Sequence, residues 1–341
     1  MKKISFIRQK YTPYGGAERY LERVANVLKE KNIDYEIIHA DFPKWLPSWL
    51  KALLFNKQVC GKKEKKFYFS LDRIICPDIY RAGDGVHKAF LKSKGISLNP
   101  LHLTYLYLEK KCFRNAKKII ANSKQVKNQI VEYYKIDADK IAVIYNGIEI
   151  KEFDKEQSKM KIGQEFGIKE DSKIILFAGS GFERKGVAEF LQILALLNSD
   201  YHAFILGKEK KISKYKQMAK AMGLEGKVTF TGPRNDIDHF YAASDIFLFP
   251  TRYEPFSNVV LEAMSFENVV FTTAQNGAAE ILPKELVMKN PKDLSVVKKI
   301  DTLLQNNDKL VKIQKEMREI SKEYTIEKNV QKTLEVIYEL I

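Results

Sequence analysis

Short apolar runs and longer amphipathic stretches take turns along this chain. Strand-like runs fall at Ile4–Arg8, Tyr35–His39, Lys118–Ala121 and Ile141–Tyr145. Between them lie stretches with helical spacing: Ala17–Lys31, where Leu21, Val24, Ala25 and Leu28 share one face, then Leu101–Arg114 and Ser123–Tyr134. The turn pair Asn146-Gly147 closes this series, and the polar residues 150–172 read as a linker. A second series begins at Lys173–Ala178 and continues through Ala203–Leu206, Val228–Thr231, Ile246–Phe249 and Val269–Thr272, with a helical tail from about Lys309. Strands that alternate with helices predict parallel sheets covered by helices on both faces. The chain therefore reads as α/β, with two doubly wound, Rossmann-like domains over residues 1–150 and 151–320. A helical segment, 321–341, follows and is free to pack back on the first domain. Ligands of such domains sit at the carboxyl ends of the strands, here expected in a cleft between the two.

Composition narrows the class without changing this picture. A chain of 341 residues that is 45% hydrophobic can bury two ordinary cores. No apolar run approaches the ~18 residues of a membrane span. The start, Met1–Arg8, carries too short an apolar stretch for a signal peptide and reads as the first strand of a cytoplasmic protein. Cys60, Cys76 and Cys112 are odd in number and lack ligand spacing, so neither a disulfide framework nor a zinc site is expected. The charge is uneven. Residues 1–150 hold 29 Lys and Arg against 15 Asp and Glu, whereas the remainder is nearly balanced. A basic first half suits phosphates or anionic lipid headgroups, and no nucleic-acid recognition module accompanies it. Residues 42–70 mix Trp45, Trp49, Leu50, Phe55, Phe67 and Phe69 with seven lysines. That mixture suits either a membrane interface or a packed insert with a lysine-rich loop.

Three motifs carry candidate chemistry. In Glu254-Pro-Phe-Ser-Asn-Val-Val-Leu-Glu262 a loop turns into a helix behind the strand Ile246–Phe249. A helix start offers backbone N–H groups to a phosphate, and the carboxylates on either side can accept hydroxyl protons up to ~12 Å apart. That span fits the ribose and the hexose of an activated sugar. Gly15 and Gly16 precede the first helix and let a ligand approach the backbone, although the dinucleotide fingerprint is absent. Arg184 and Lys185, in Ala178-Gly-Ser-Gly-Phe-Glu-Arg-Lys-Gly186, offer a fork and a point charge for a diphosphate leaving group. Charge built there in the transition state would be stabilised without a metal. Solvated charges and plain tight turns are the structural alternative for each motif taken singly.

Taken together, Gly15-Gly16-Ala-Glu-Arg19, Val143-Ile-Tyr-Asn-Gly-Ile148, Arg184-Lys-Gly186, Gly232-Pro-Arg-Asn-Asp236, Ala243-Ser-Asp245 and Glu254 through Glu262 resemble the family 4 glycosyltransferases of the GT-B fold. Within that family the chain looks most similar to the lipopolysaccharide core glucosyltransferases. The resemblance implies that Glu254 contacts the donor sugar and Glu262 the ribose. It implies that the amides of Phe256, Ser257, Asn258 and Val259 face the donor phosphates and sugar. Arg184 and Lys185 match the diphosphate clamp, Gly15 and Gly16 the loop over the donor, and Arg234 a position near the base. It further implies retention of anomeric configuration, no metal, no cofactor and a departing phosphate oxygen that helps take the acceptor proton. Two departures stand out. Ser180 occupies a position where many relatives carry Arg, and Glu267-Asn-Val-Val-Phe271 replaces a Gly-x-Pro-Val-Val turn.

Arg81-Ala-Gly-Asp-Gly-Val-His87 follows a strand-like Arg73–Pro77. Asp84 could orient an acceptor hydroxyl or simply form an Asx turn, and His87 could bind a phosphate or a hydroxyl. The expected function is transfer of a hexose, glucose first, from a nucleotide diphosphate sugar, UDP first. The expected acceptor is a lipopolysaccharide or lipooligosaccharide core or another glycan, met by a peripheral protein on the anionic cytoplasmic face of a bacterial inner membrane. Nucleic acid is not an expected partner. A UDP-sugar epimerase of the same fold would turn over donor without acceptor. A non-catalytic sugar-nucleotide or anionic-lipid binding protein would bind donor without turnover.

Overall fold

A computed structural model describes residues 3–10, 16–94, 99–169 and 171–341, with backbone alone for residues 16–19 and 94. The chain divides into two compact units. The first comprises Met1–Asn146 with Ile326–Ile341, and the second Gly147–Thr325.

The first unit holds β1 (Ile4–Ile7), α1 (Gly16–Glu30), β2 (Tyr35–Ile38), α2 (Ser48–Gly61), β3 (Phe67–Ser70), β4 (Ile79–Ala82), α3 (His87–Lys94), α4 (Pro100–Asn115), β5 (Lys118–Ala121), α5 (Lys124–Tyr134) and β6 (Ile141–Val143). Its strands form one parallel sheet in the order β2-β1-β3-β4-β5-β6. Alternation along the strands sorts the two faces. Ile4, Phe6, Phe67 and Phe69 pack with Leu21, Val24 and Leu28 of α1. Ile7 and Tyr68 point the other way, onto Phe55 and Val59 of α2.

The second unit holds α6 (Lys155–Phe166), β7 (Ile174–Ala178), α7 (Phe182–Lys185), α8 (Val187–Ala195), β8 (His202–Leu206), α9 (Ile212–Ala221), β9 (Val228–Gly232), α10 (Ile237–Ala243), β10 (Ile246–Phe249), α11 (Asn258–Ser265), β11 (Val269–Thr273), β12 (Val287–Met288), α12 (Ser295–Gln305) and α13 (Asn307–Ser321). Its parallel sheet runs β12-β11-β10-β7-β8-β9. The last helix, α14 (Ile326–Tyr338), returns to the first unit. There Val330, Leu334 and Ile337 join the α1 face of the core, and Thr333 shares a buried hydrogen bond of 3.1 Å with the Tyr20 hydroxyl.

Several expectations are corrected. Residues 150–172 are not a plain linker, because α6 occupies most of them and packs on α10. Asp245 explains why: its buried carboxylate accepts from the Ile174 amide at 2.9 Å and pairs with Lys155 and Lys159 of α6 at 3.1 and 3.3 Å. Burial alone would raise its pKa, but the two lysines and the amide hold it below the ordinary carboxylate value. The Arg73–Pro77 stretch is irregular, and the strand is Ile79–Ala82. Phe67 and Phe69 are core residues, exposed 3% and 0%, so their aromatic rings serve packing. Cys60 and Cys76 form a disulfide, contrary to the expectation from their number, while Cys112 is buried and free. Folding brings the end of α2 beside the loop ahead of β4, a proximity that the spacing of cysteines does not encode.

The turn after α11 is built on a non-glycine residue in a left-handed conformation. Glu267 takes the left-handed conformation, φ +60°, that glycine would adopt without a Cβ penalty. Among the described residues no helix is long and apolar enough to cross a membrane.

Candidate active site

In an open α/β sheet the crevice opens where strand order reverses, beyond the carboxyl ends of the strands. In the second unit that point lies between β7 and β10, since β7 is flanked by β10 on one side and β8 on the other. The segment after β7 carries Arg184 and Lys185, and the loop after β10 carries Glu254. The sheet therefore gathers three charges that lie up to 70 positions apart in sequence.

Arg184 pairs with the Glu254 carboxylate and donates to the Tyr253 carbonyl at 2.9 Å. Lys185 Nζ lies 3.1 Å from the same Glu254 oxygen and 5.0 Å from the centre of the Phe249 ring. One buried carboxylate thus holds two cations, leaving a local excess of one positive charge beside the start of α11. Backbone contacts fix the arrangement independently of these side chains. The Arg184 carbonyl accepts from the Arg252 amide at 2.9 Å and from the Thr251 hydroxyl at 3.2 Å. Gly186 takes φ +81°, and a Cβ there would lie 1.9 Å from the Pro250 carbonyl oxygen.

The Glu254 backbone is strapped to the loop after β11. Its amide donates to the Gln275 carbonyl at 3.1 Å, and its carbonyl accepts from the Gly277 amide at 3.0 Å. Asn276, 1% exposed, is the rivet of this loop pair. Its side-chain oxygen accepts from the Ser257 amide at 3.2 Å and the Ala278 amide at 3.1 Å, and its nitrogen donates to Thr272 Oγ1 at 3.1 Å. Sequence reasoning missed Asn276; the turn dipeptide Asn276-Gly277 was the available signal. The Ser257 amide, expected to face a donor phosphate, is taken by Asn276 instead. The Ser257 hydroxyl, in contrast, is buried with no hydrogen-bond partner among the described residues. A buried hydroxyl without a partner costs roughly 1–3 kcal/mol, which a ligand oxygen would recover.

Glu262 sits on α11 and accepts from the Tyr241 hydroxyl at 3.2 Å. Burial, then the Glu262 carboxylate, pushes the Tyr241 phenol well above its ordinary pKa, so it stays a proton donor. Tyr241 is a second residue that sequence reasoning passed over; its signal was only a tyrosine among small residues on a short helix. Phe256 is buried at 6%, and Asn258 and Val259 open α11.

Other candidates fall elsewhere. Arg234 follows the edge strand β9, two strands from β7. Its guanidinium is held by Glu165 at 2.7 and 2.9 Å and by Asp236 at 2.8 Å, and these hydrogen bonds raise its pKa further. Ser180 accepts from the Lys208 amide at 3.0 Å, so the residue standing in the arginine position ties the β7 loop to the β8 loop. Gly15 lies outside the described residues, and Gly16 opens α1.

In the first unit Asp84 is exposed and lies 3.9 Å from Arg73. His87 is largely buried, within 3.0 Å of a His102 ring nitrogen, and its amide donates to Glu109 at 2.8 Å. Glu109 is fully buried and pairs with Arg73 at 2.9 Å. Among the described residues no group of three or more His, Cys, Asp or Glu is arranged to hold a metal.

Comparison with known proteins agrees with this architecture. Residues 158–325 match the family model "Glycosyl transferases group 1", and residues 79–152 match "Glycosyltransferase Family 4". An uncharacterized glycosyltransferase of Methanocaldococcus jannaschii is 27% identical over 74% of this chain, which spans 61% of that protein. The lipopolysaccharide glucosyltransferase WaaG of Escherichia coli is 26% identical over 82% of this chain and 82% of its own. A crystal structure of WaaG superposes with a TM-score of 0.81 at 21% identity, covering 98% of this chain and 99% of that one. HepE of Anabaena, solved with UDP-glucose, gives 0.78 at 19% identity over the whole of both chains. Two parallel six-stranded sheets, the ion cluster at the switch point and these family matches place the chain among the family 4 glycosyltransferases of the GT-B fold, as a hexosyltransferase.

Proposed function

We propose that this enzyme transfers a hexose, glucose first, from a UDP-sugar to a glycan acceptor of the lipopolysaccharide or lipooligosaccharide core type, with retention of configuration. The observation that carries the donor assignment is the meeting of Arg184, Lys185 and Glu254 at the switch point, beside the α11 start and the Ser257 hydroxyl, which has no partner among the described residues. HepE, solved with UDP and with UDP-glucose, supports a uridine donor. WaaG, a lipopolysaccharide glucosyltransferase, supports the acceptor class.

In this reading Arg184 and Lys185 take the diphosphate, Glu254 orients the sugar hydroxyls, Glu262 takes the ribose, and Arg234 lies toward the base. The amides of Phe256, Asn258 and Val259 face the phosphates and sugar. Gly15 and Gly16 belong to the loop over the donor. The acceptor oxygen forms the new bond to the anomeric carbon while the bond from that carbon to the phosphate oxygen breaks. The diphosphate leaves with the electron pair, and its oxygen takes the acceptor proton. The cations stabilise that leaving charge in place of a metal, and no cofactor takes part. Asp84 orients the acceptor hydroxyl, and His87 contributes to its binding.

Donor hydrolysis screened over UDP- and GDP-sugars tests the central claim. The expected result is turnover of a UDP-hexose, with Glu262→Ala raising the donor KM by roughly tenfold or more, as loss of hydrogen bonds to a charged group does. Absence of binding and turnover with every nucleotide sugar sinks the assignment.

The same reading places the enzyme peripherally on an anionic membrane surface. Supporting it, Trp45, Leu54, Leu103 and Tyr107 are large apolar residues left exposed on or beside α2 and α4. Co-sedimentation with vesicles is expected to rise with anionic lipid content and to fall on charge reversal within 57–66. Indifference to both removes the membrane from the proposal.

A further inference from the structure

The first unit carries its own crevice at its own switch point. Strand order reverses between β1 and β3, and a cavity of about 410 Å³ lies beyond their carboxyl ends. Arg8 and Lys10 reach it from the end of β1, Asp72 and Arg73 from the end of β3, and Asp84 from the end of β4. The fourth contribution is unexpected. Helix α2, which its composition suggested for a membrane interface, turns Lys51, together with Ser48 and Phe55, into this cavity.

The charges of the cavity do not balance. Asp72 pairs with Arg8 at 3.2 Å and also accepts from the Gln9 amide at 2.5 Å. Arg73 is committed to the buried Glu109 at 2.9 Å, with Asp84 at 3.9 Å. Among the described residues no carboxylate lies within ion-pair distance of Lys10 or Lys51; Lys51 has only the Lys44 carbonyl, at 3.5 Å. Two cations, one at the β1 end and one on α2, therefore line the cavity with no carboxylate partner among the described residues, and an exposed carboxylate, Asp84, lines it from the β4 end. A ligand matching this layout carries an anionic group at one end and a hydroxyl at the other.

We propose that this cavity is a subsite for an acceptor sugar bearing a phosphate monoester, with Lys10 and Lys51 reading the phosphate and the hydroxyl end directed to Asp84. The proposal rests on the transferase reading above and adds to it the chemical class of the acceptor. It also explains the placement of α2. Through Lys51, recognition of acceptor charge becomes a property of this helix, so exchanging the helix would change acceptor choice. A phosphate held by two lysines and a hydroxyl held by a carboxylate fix the acceptor at both ends.

Calorimetric titration of the whole chain tests this. Glucose 6-phosphate and glucose serve as probes, both added with UDP in excess so that a phosphate site in the second unit is occupied. Glucose 6-phosphate is expected to bind at least tenfold more tightly than glucose. The double variant Lys10→Ala/Lys51→Ala is expected to remove that advantage, roughly tenfold, with UDP affinity changed less than twofold. Both lysines lie outside the core, so thermal unfolding is expected to stay within a few degrees. Equal binding of the two probes, absence of binding, or an undiminished preference in the double variant overturns the proposal. If the double variant loses co-sedimentation with phosphatidylglycerol vesicles but keeps its grip on glucose 6-phosphate, the phosphate read here is a lipid headgroup and the proposal is also overturned. A wild-type chain that fails to bind UDP refutes the donor assignment instead, and the sugar-phosphate titration still reads the cavity.

Discussion

Arg184→Ala is expected to lower kcat for sugar transfer by roughly 10²- to 10³-fold, the cost of removing one positioned group that stabilises developing charge. Arg184 is half of the cation pair on Glu254, and Lys185 alone supplies a point charge without the planar fork. The variant should remain folded. The contacts that shape this loop run through the Arg184 carbonyl, which accepts from the Arg252 amide and the Thr251 hydroxyl, and alanine keeps both. Arg184→Lys is expected to recover part of the rate. A kcat within threefold of wild type, with the donor KM unchanged, would remove Arg184 from the transition state.

The second large effect concerns the glycine behind the cations. Gly186→Ala is expected to cost roughly 2–5 kcal/mol, combining a left-handed backbone penalty with overpacking. The added Cβ would meet Pro250 backbone atoms at 1.9 and 2.7 Å, and backbone cannot swing aside as a flexible side chain can. Gly181→Ala is the matched control. It shares a left-handed φ, +79°, but has nothing within 4 Å of the added carbon, so only the backbone term of about 1–2 kcal/mol is expected. Urea unfolding of the two variants separates the terms. Equal midpoints would show that the contact with Pro250 relaxes freely. In Gly186→Ala the joint between β7 and β10 must shift, so activity is expected to fall even where the protein remains folded.

Legibility in the sequence followed the range of the interaction. The strands β7, β10 and β11 were readable within a residue or two because each is a continuous apolar run bounded by polar residues. Strands β3 and β4 were not. Phe67–Ser70 follows a lysine-rich loop and shares its aromatic character with the α2 segment. Ile79–Ala82 is interrupted by Arg81, a charged residue buried over the Tyr20 ring at 3.9 Å. The helix α6 was hidden for the related reason that its lysines look solvated in sequence. Lys155 and Lys159 in fact converge on the buried Asp245, which only the fold brings to them.

What the sequence determined by itself is local: the α/β alternation, the Arg184-Lys185 pair, and two glutamates on either side of a helix start. Each depends on residues within a few positions of one another, where backbone geometry and periodicity suffice. Tertiary structure decided which of these groups meet. Pairing of β10 with β7 places Glu254 on both cations, although strands adjacent in sequence would have separated them. The same long-range order lets Asn276 take the Ser257 amide, gives Glu262 a tyrosine partner, closes the Cys60–Cys76 disulfide and turns Lys51 into a cavity. Strand order is set by burial of whole faces across the chain, and no short stretch of sequence carries that information.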